Sequence, residues 1–197
     1  MITKDREYRS FEFEAKEEEK TIEGYAVVFD KETTLFEHGG VKYKEIIDRN
    51  AFDGVSLDDV VLNIDHTGKP LARTKNNTLE LSIDDYGLKV RAKLDGTQAG
   101  REAHEEIKGG YFDKMSFSFT IEENSYNSET NTETILKIKR LYDVSVVTFP
   151  AYEQTSVLAR NSLLAEAERK KAEAELVEKR RLEKQRLQLI LNIKTKI

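Results

Sequence analysis

Cysteine is absent from this chain, and histidine occurs only three times. The first absence excludes disulfides, thiol nucleophiles and Cys-ligated zinc, and it fits a reducing compartment. The second narrows any search for a general base to His38, His66 and His104. These three have no metal-ligand spacing, so no metal site is expected, and nothing in the sequence points to a cofactor. No apolar run approaches the ~20 residues that a membrane-spanning helix needs, so a membrane partner is not expected. The N-terminal Met-Ile-Thr-Lys-Asp-Arg-Glu has no apolar h-region, and a secretory signal is not expected either. A net charge of −5 gives the whole chain no electrostatic reason to bind nucleic acid. Gly39-Gly40 and Gly109-Gly110 do not match a phosphate-binding loop.

The composition is uneven. A hydrophobic fraction of 38% is low for a wholly globular chain, and a charged fraction of 35% is high. The excess charge lies from Asn161 onward, in a stretch dominated by Lys, Arg, Glu, Ala and Leu. Residues 21 to 158 instead read as a β-rich globular sequence. Two units are therefore expected: residues 1–160 as the folded domain and 161–197 as a charged C-terminal helical extension. Ser162 to Arg186 is rich in strong helix formers and predicts one long helix. Glu166 with Lys170, and Glu175 with Lys179, are spaced as i,i+4 ion pairs. Its apolar residues do not hold a heptad, which favours a solvated helix that packs on a partner over an autonomous coiled coil.

Within the domain, β-branched and aromatic residues mark many short strands. Tyr8 to Glu14 reads as an edge strand. Thr21 to Asp30 follows, with Gly24 suggesting a bulge or a close backbone approach. Lys31 to Gly40 reads as a loop and Val41 to Ile47 as a strand. Asp48 is placed to cap a short helix carrying Ala51 and Phe52. Val60 to Ile64 is a compact strand ending at Asp65-His66, and Gly68-Lys69-Pro70 predicts a turn. Leu71 to Thr74, Thr78 to Ile83 and Gly87 to Leu94 are three further strands. Ala99 to Lys108 is helical, stopped by Gly109-Gly110. Lys114 to Ile121 is a strand, Glu122 to Thr132 a polar loop, and Thr134 to Tyr142 and Val144 to Phe149 the last two strands. The fold class expected is α+β: a compact β-barrel of short, mainly antiparallel strands with peripheral helices, plus a long C-terminal helix.

Two segments carry candidate chemistry. Val60-Val61-Leu62-Asn63-Ile64-Asp65-His66 and Met115-Ser116-Phe117-Ser118-Phe119 each set a reactive side chain among apolar strand residues. A hydroxyl beside an imidazole is the minimum for a serine nucleophile, and the imidazole needs a third group to fix its tautomer. Ser118 lies two residues from Ser116 and faces the same side, so spacing does not separate them. Asp143 is a charge inside the apolar run Leu141-Tyr142-Asp143-Val144-Ser145-Val146-Val147, where an unpaired carboxylate is costly. His66 is an economical partner for it. Asp65 is the nearest rival, disfavoured because adjacent strand residues point to opposite faces. His104 lies in a charged helical segment and is expected on its solvent face; His38 lies in a loop.

The ordered motifs go further. They run through Gly24-Tyr25-Ala26-Val27-Val28-Phe29-Asp30, Glu45-Ile46-Ile47 with Ala51-Phe52, Asn63-Ile64-Asp65-His66 and Pro70-Leu71-Ala72-Arg73-Thr74. Thr78-Leu79-Glu80-Leu81, Asp85-Tyr86-Gly87-Leu88, Ile107-Lys108-Gly109-Gly110 and Met115-Ser116-Phe117-Ser118-Phe119 follow. Asp143-Val144-Ser145-Val146-Val147-Thr148-Phe149-Pro150-Ala151-Tyr152 closes the series. Over roughly Thr21 to Val157 the chain resembles the prohead maturation proteases of tailed bacteriophages and prophages. The resemblance implies a serine endopeptidase related in fold to the herpesvirus assembly protease. It implies action inside an immature procapsid in the bacterial host cytoplasm, where the scaffold segment of the major capsid protein precursor is cleaved, and often the protease itself. The family's His falls on His66, its Ser on Ser116, and the acid of its Glu/Asp-Val-Ser motif on Asp143. Arg73 is a candidate oxyanion or substrate contact. A homodimer follows by analogy with the herpesvirus enzyme. The chain departs from the family pattern at Arg49-Asn50, where Pro-Gly is common, and at Ser118, where Gly is common. The competing expectation is a non-enzymatic capsid assembly or scaffolding protein, a β-barrel module with a helical arm.

Overall fold

Strand-forming residues dominate the first three-quarters of the chain, and a computed structural model shows how they pair. It describes the backbone of residues 7–16, 20–148 and 157–194, and side chains over 20–148 and much of 164–186. The strands are β1 (Glu7–Lys16), β2 (Thr21–Val28), β3 (Thr33–His38), β4 (Val41–Ile47), β5 (Val61–Ile64), β6 (Thr67–Arg73), β7 (Leu79–Ile83), β8 (Gly87–Lys93), β9 (Lys114–Asn127) and β10 (Thr132–Val147). Helix α1 spans Gln98–Lys108 and α2 spans Val157–Lys194. The fold is α+β, and among the described residues all strand pairs but two are antiparallel. The exceptions are β10 with β4 and β10 with β5.

The hydrogen-bonded path runs β3-β4-β10-β9-β1-β2-β8-β7, with β5 added beside β10 and β6 beside β5. The expected barrel is not closed by this pairing. Among the described residues, β3 and β7 stand at opposite ends of the path and do not pair with each other. Strand β1 is not the expected edge strand but the connector. Its residues 7–12 pair with β9 and its residues 13–16 with β2. One strand thus serves two ladders.

Strand β10 does the same along its length. Its start pairs with β4 at Thr132–Ile135 and its end with β5 at Asp143–Val146. Between these ladders the turn after β4 covers the edge. Asp48 N–H donates to the Ile135 carbonyl at 3.0 Å and Ile138 N–H to the Ala51 carbonyl at 2.8 Å. Asp48 caps no helix here. Its carboxylate accepts from Asn50 N–H at 2.8 Å, an Asx turn that buries Ala51 and Phe52.

Several sequence readings shift. The segment read as loop 31–40 contains β3, whose Phe36 stacks on Tyr43 of β4 at 4.8 Å. The polar stretch 122–132 is not a loop, since β9 continues to Asn127 and the hairpin closes through Asn127–Thr132. The two last strands are one, β10. The bulge in β2 falls between Tyr25 and Val27, just past Gly24. Gly87 and Gly100 are pressed against backbone, where an added Cβ would lie 1.9 Å from the Val27 carbonyl oxygen and 2.5 Å from that of Leu94, respectively. Phe149, expected to end the last strand, lies outside the described residues.

Helix α1 is capped by Thr97, whose hydroxyl accepts from Gly100 N–H at 2.9 Å. It buries Gly100, Ala103, His104 and Ile107, an i, i+3, i+4, i+7 stripe. His104 therefore faces the core and not solvent; the charges around it fill the other face. On α2, longer than the predicted Ser162–Arg186 helix, the described ion pairs are Arg169–Glu173 and Arg181–Glu178. Leu176, Val177 and Leu182 are exposed on it. No described helix is long and apolar enough to cross a membrane.

Candidate active site

Strands β9 and β10 run side by side at the centre of the sheet, and their facing residues sort by chemistry. Met115 pairs with Val146, Phe117 with Val144 and Phe119 with Leu141. Directly paired residues share a face, so these six make an apolar layer. Phe117 and Phe119 are fully buried, with ring centroids 4.7 Å apart. Burying one such ring contributes about 1.5–3 kcal/mol. The opposite face of the same strands holds Ser116 paired with Ser145 and Ser118 paired with Asp143. All four polar residues are buried.

Asp143 reaches that face only because β10 bulges. In a regular strand, residues 141 and 143 share a face. The register shifts between Leu141 and Asp143, and Tyr142 is the extra residue. A one-residue slip inverts which face each side chain meets. Leu141 thus stays with the apolar layer while Asp143 joins the serines. Tyr142 is half-buried, its ring centroid 4.9 Å from the Arg140 guanidinium carbon.

His66 comes from the neighbouring hairpin. Strand β5 lies beside β10 with Ile64 opposite Val146, and Ile64 pairs with Thr67 of β6. Asp65 and His66 are the two residues between, both with positive φ, 46° and 57°. Positive φ at both positions is the signature of a type I′ hairpin turn. The chain reversal therefore falls on Asp65-His66, not on Gly68-Lys69-Pro70, which lies within β6. A left-handed conformation at a non-glycine residue costs roughly 1–3 kcal/mol, and the surroundings hold it. Asp65 N–H donates to the Val146 carbonyl at 3.0 Å. His66 N–H donates to Ser145 Oγ at 3.2 Å.

The imidazole then lies between hydroxyl and carboxylate. His66 Nδ1 is 2.5 Å from Asp143 Oδ1, and His66 Nε2 is 2.9 Å from Ser116 Oγ. An ionised carboxylate only accepts hydrogen bonds. The ring proton is accordingly on Nδ1, donated to Asp143, and the Nε2 lone pair faces the Ser116 hydroxyl. The His66 side chain is 12% exposed and that of Asp143 5%, so water screens this pair little. This chain of contacts can move the Ser116 proton onto His66 and hold the resulting imidazolium against Asp143.

The other candidates are not partners in these two hydrogen bonds of the His66 imidazole. Ser118 is buried on the same face, and its hydroxyl has no hydrogen-bond partner among the described residues. The imidazole contact selects Ser116 over Ser118, which spacing did not. Asp65 faces away, and its carboxylate takes a long 3.4 Å contact from Thr148 N–H. It sits in a turn, so strand alternation is not the reason it loses to Asp143. Arg73 pairs in register with Val61, and its guanidinium is held by Asp59 at 2.6–2.7 Å. His38 is exposed at the end of β3.

A buried hydroxyl and a buried carboxylate linked through a half-buried imidazole on a mixed sheet have the connectivity of a serine hydrolase's reaction centre. Comparison with known proteins makes the class specific. The family model described as Caudovirus prohead serine protease matches residues 6–170, and the chain belongs to that family. No curated protein and no solved structure matched the chain.

Proposed function

We propose that this protein is a serine endopeptidase that cleaves the scaffold region of the major capsid protein precursor, and itself, during prohead maturation. Ser116 Oγ attacks the scissile carbonyl, and His66 Nε2 takes its proton and delivers it to the leaving amine. Asp143 holds the imidazole tautomer and stabilises the imidazolium. The observation that carries this reading is the unbroken contact from Ser116 through His66 to Asp143. Membership of the prohead serine protease family supports the capsid protein as substrate. Asp59 engages Nε and Nη2 of Arg73, so a substrate or oxyanion contact by this residue would be made through Nη1.

The reading divides the chain into a protease domain, residues 1–160, and an extension, 161–197, that docks on the helical scaffold segment of the precursor. It places the enzyme inside the immature procapsid in the bacterial host, with a homodimer as its assembly. The non-enzymatic scaffold alternative accounts for the exposed α2 but gives no reason for a buried Ser–His–Asp relay. Coexpression with a capsid precursor, followed by intact-mass measurement, tests the proposal. Discrete fragments cut within the scaffold region are expected, and a precursor left whole refutes the substrate assignment. Truncation after Asn161 is expected to leave peptide cleavage intact and to lower encapsidation. Normal packaging of the truncated chain contradicts the docking role.

A further inference from the structure

We infer that Ser145 is a positioning residue for the reaction, joining the backbone of the base to the carboxylate that orients it; the inference rests on the protease reading above. Ser145 is fully buried and lies opposite Ser116 on β9 and Asn63 on β5. Its hydroxyl donates to Asp143 Oδ1 at 2.9 Å and accepts from His66 N–H at 3.2 Å. A hydroxyl has one proton and two lone pairs. The carboxylate takes the proton, which turns a lone pair toward the His66 amide. Both directions follow from the partners, because a backbone N–H only donates and a carboxylate only accepts.

This single atom does two things. It places one carboxylate oxygen, because Asp143 Oδ1 receives both Ser145 Oγ and His66 Nδ1. It also satisfies the amide of a residue held at φ 57°, pinning the turn from which the imidazole projects. Without it, the half-buried His66 N–H loses this hydrogen bond. The carboxylate also loses a donor, while the hydroxyl of Ser118, without a hydrogen-bond partner among the described residues, lies opposite it on β9. Asp143 then has a competing position away from His66. A misplacement of ~1 Å is enough to cost about 100-fold in rate.

The test compares Ser145→Ala, Ser145→Cys and Ser145→Thr in the full chain. It measures the rate of inactivation by a serine-directed phosphonate per folded molecule, together with kcat and KM on capsid precursor. Ser145→Ala is expected to lower the inactivation rate and kcat about 10- to 100-fold, with KM within about 2-fold of the parent. Ser145→Cys, close in shape but a weak hydrogen-bonding group, should follow Ala. Ser145→Thr, which keeps the hydroxyl, should recover at least about 10-fold of a 100-fold loss, although its extra methyl lowers Tm most. A purely structural role predicts the opposite order, with activity following Tm and Thr the worst. Parent-like rates for folded Ser145→Ala, or for Ser145→Cys if the Ala variant does not fold, overturn the inference. Ser116→Ala is run beside them. If it retains parental turnover, the protease reading itself fails; if it is inert while Ser145→Ala is unimpaired, only the positioning role fails.

Discussion

Replacing Asp143 by Asn asks how much of the site's work is charge and how much is geometry. The side chain keeps its shape. Ser145 Oγ donates to the oxygen that also receives His66 Nδ1. An amide oxygen at that position still accepts both bonds, so the imidazole keeps its tautomer. What is lost is the negative charge that faces the imidazolium formed in the transition state. With the charge centres about 4 Å apart and an effective dielectric near 20, that attraction is roughly 4 kcal/mol. At 1.36 kcal/mol per decade, this is a fall of about 10³-fold in kcat. KM should stay within about 2-fold, because the charge pair forms only after binding. The assay is steady-state cleavage of purified capsid precursor, with single-turnover kinetics to isolate the chemical step. A loss below about 10-fold refutes the role of the buried carboxylate. A loss of about 10⁴-fold or more indicates that the amide has turned its NH₂ group toward His66 and reversed the tautomer.

Two further outcomes test the fold. Gly87→Ala should destabilise the protein by roughly 1–3 kcal/mol, because its Cβ would sit 1.9 Å from a backbone carbonyl that cannot rotate away; a urea midpoint equal to the parent's contradicts this. The Asp84 carboxyl is held below its ordinary 3.8, first by the Tyr25 hydroxyl and then by the amides of Gly87 and Tyr86. A carboxyl depressed on folding stabilises the native state above its unfolded value, and that stability is lost as pH falls through the folded value. Tyr25→Phe should therefore flatten the fall of Tm below about pH 4, and an unchanged acid limb removes Tyr25 from that account.

The strands and helices were largely legible because their signals are local. Val41–Ile47 alternates and pairs as β4, and the helix expected over Ala99 to Lys108 is α1, Gln98–Lys108. The misreadings came where pairing overrides composition. The polar residues of 122–127 are strand because β10 lies beside them, not because they favour it. His104 looked solvated by its charged neighbours, yet the helical stripe through Gly100, Ala103 and Ile107 already pointed it inward. At the site, His66, Ser116 and Asp143 were nameable from residue type and motif, but the devices that unite them were not. The hairpin turn carries His66 at a residue with none of the usual Gly or Asn signal. The bulge at Tyr142 does leave a trace: the apolar positions change parity from Leu141 to Val144 and Val146. That change marks where β10 turns Asp143 onto the face that carries Ser116.

The most direct test of the central claim is covalent. The full chain is treated with a serine-directed phosphonate and peptide-mapped, and the same measurement is made on Ser116→Ala and His66→Ala, with turnover of capsid precursor measured for all three. The account predicts a single adduct on Ser116 in the parent, no adduct in Ser116→Ala, a rate reduced by at least about 10³-fold in His66→Ala, and loss of precursor cleavage in both variants. Cleavage of precursor by purified Ser116→Ala at the parental rate contradicts it.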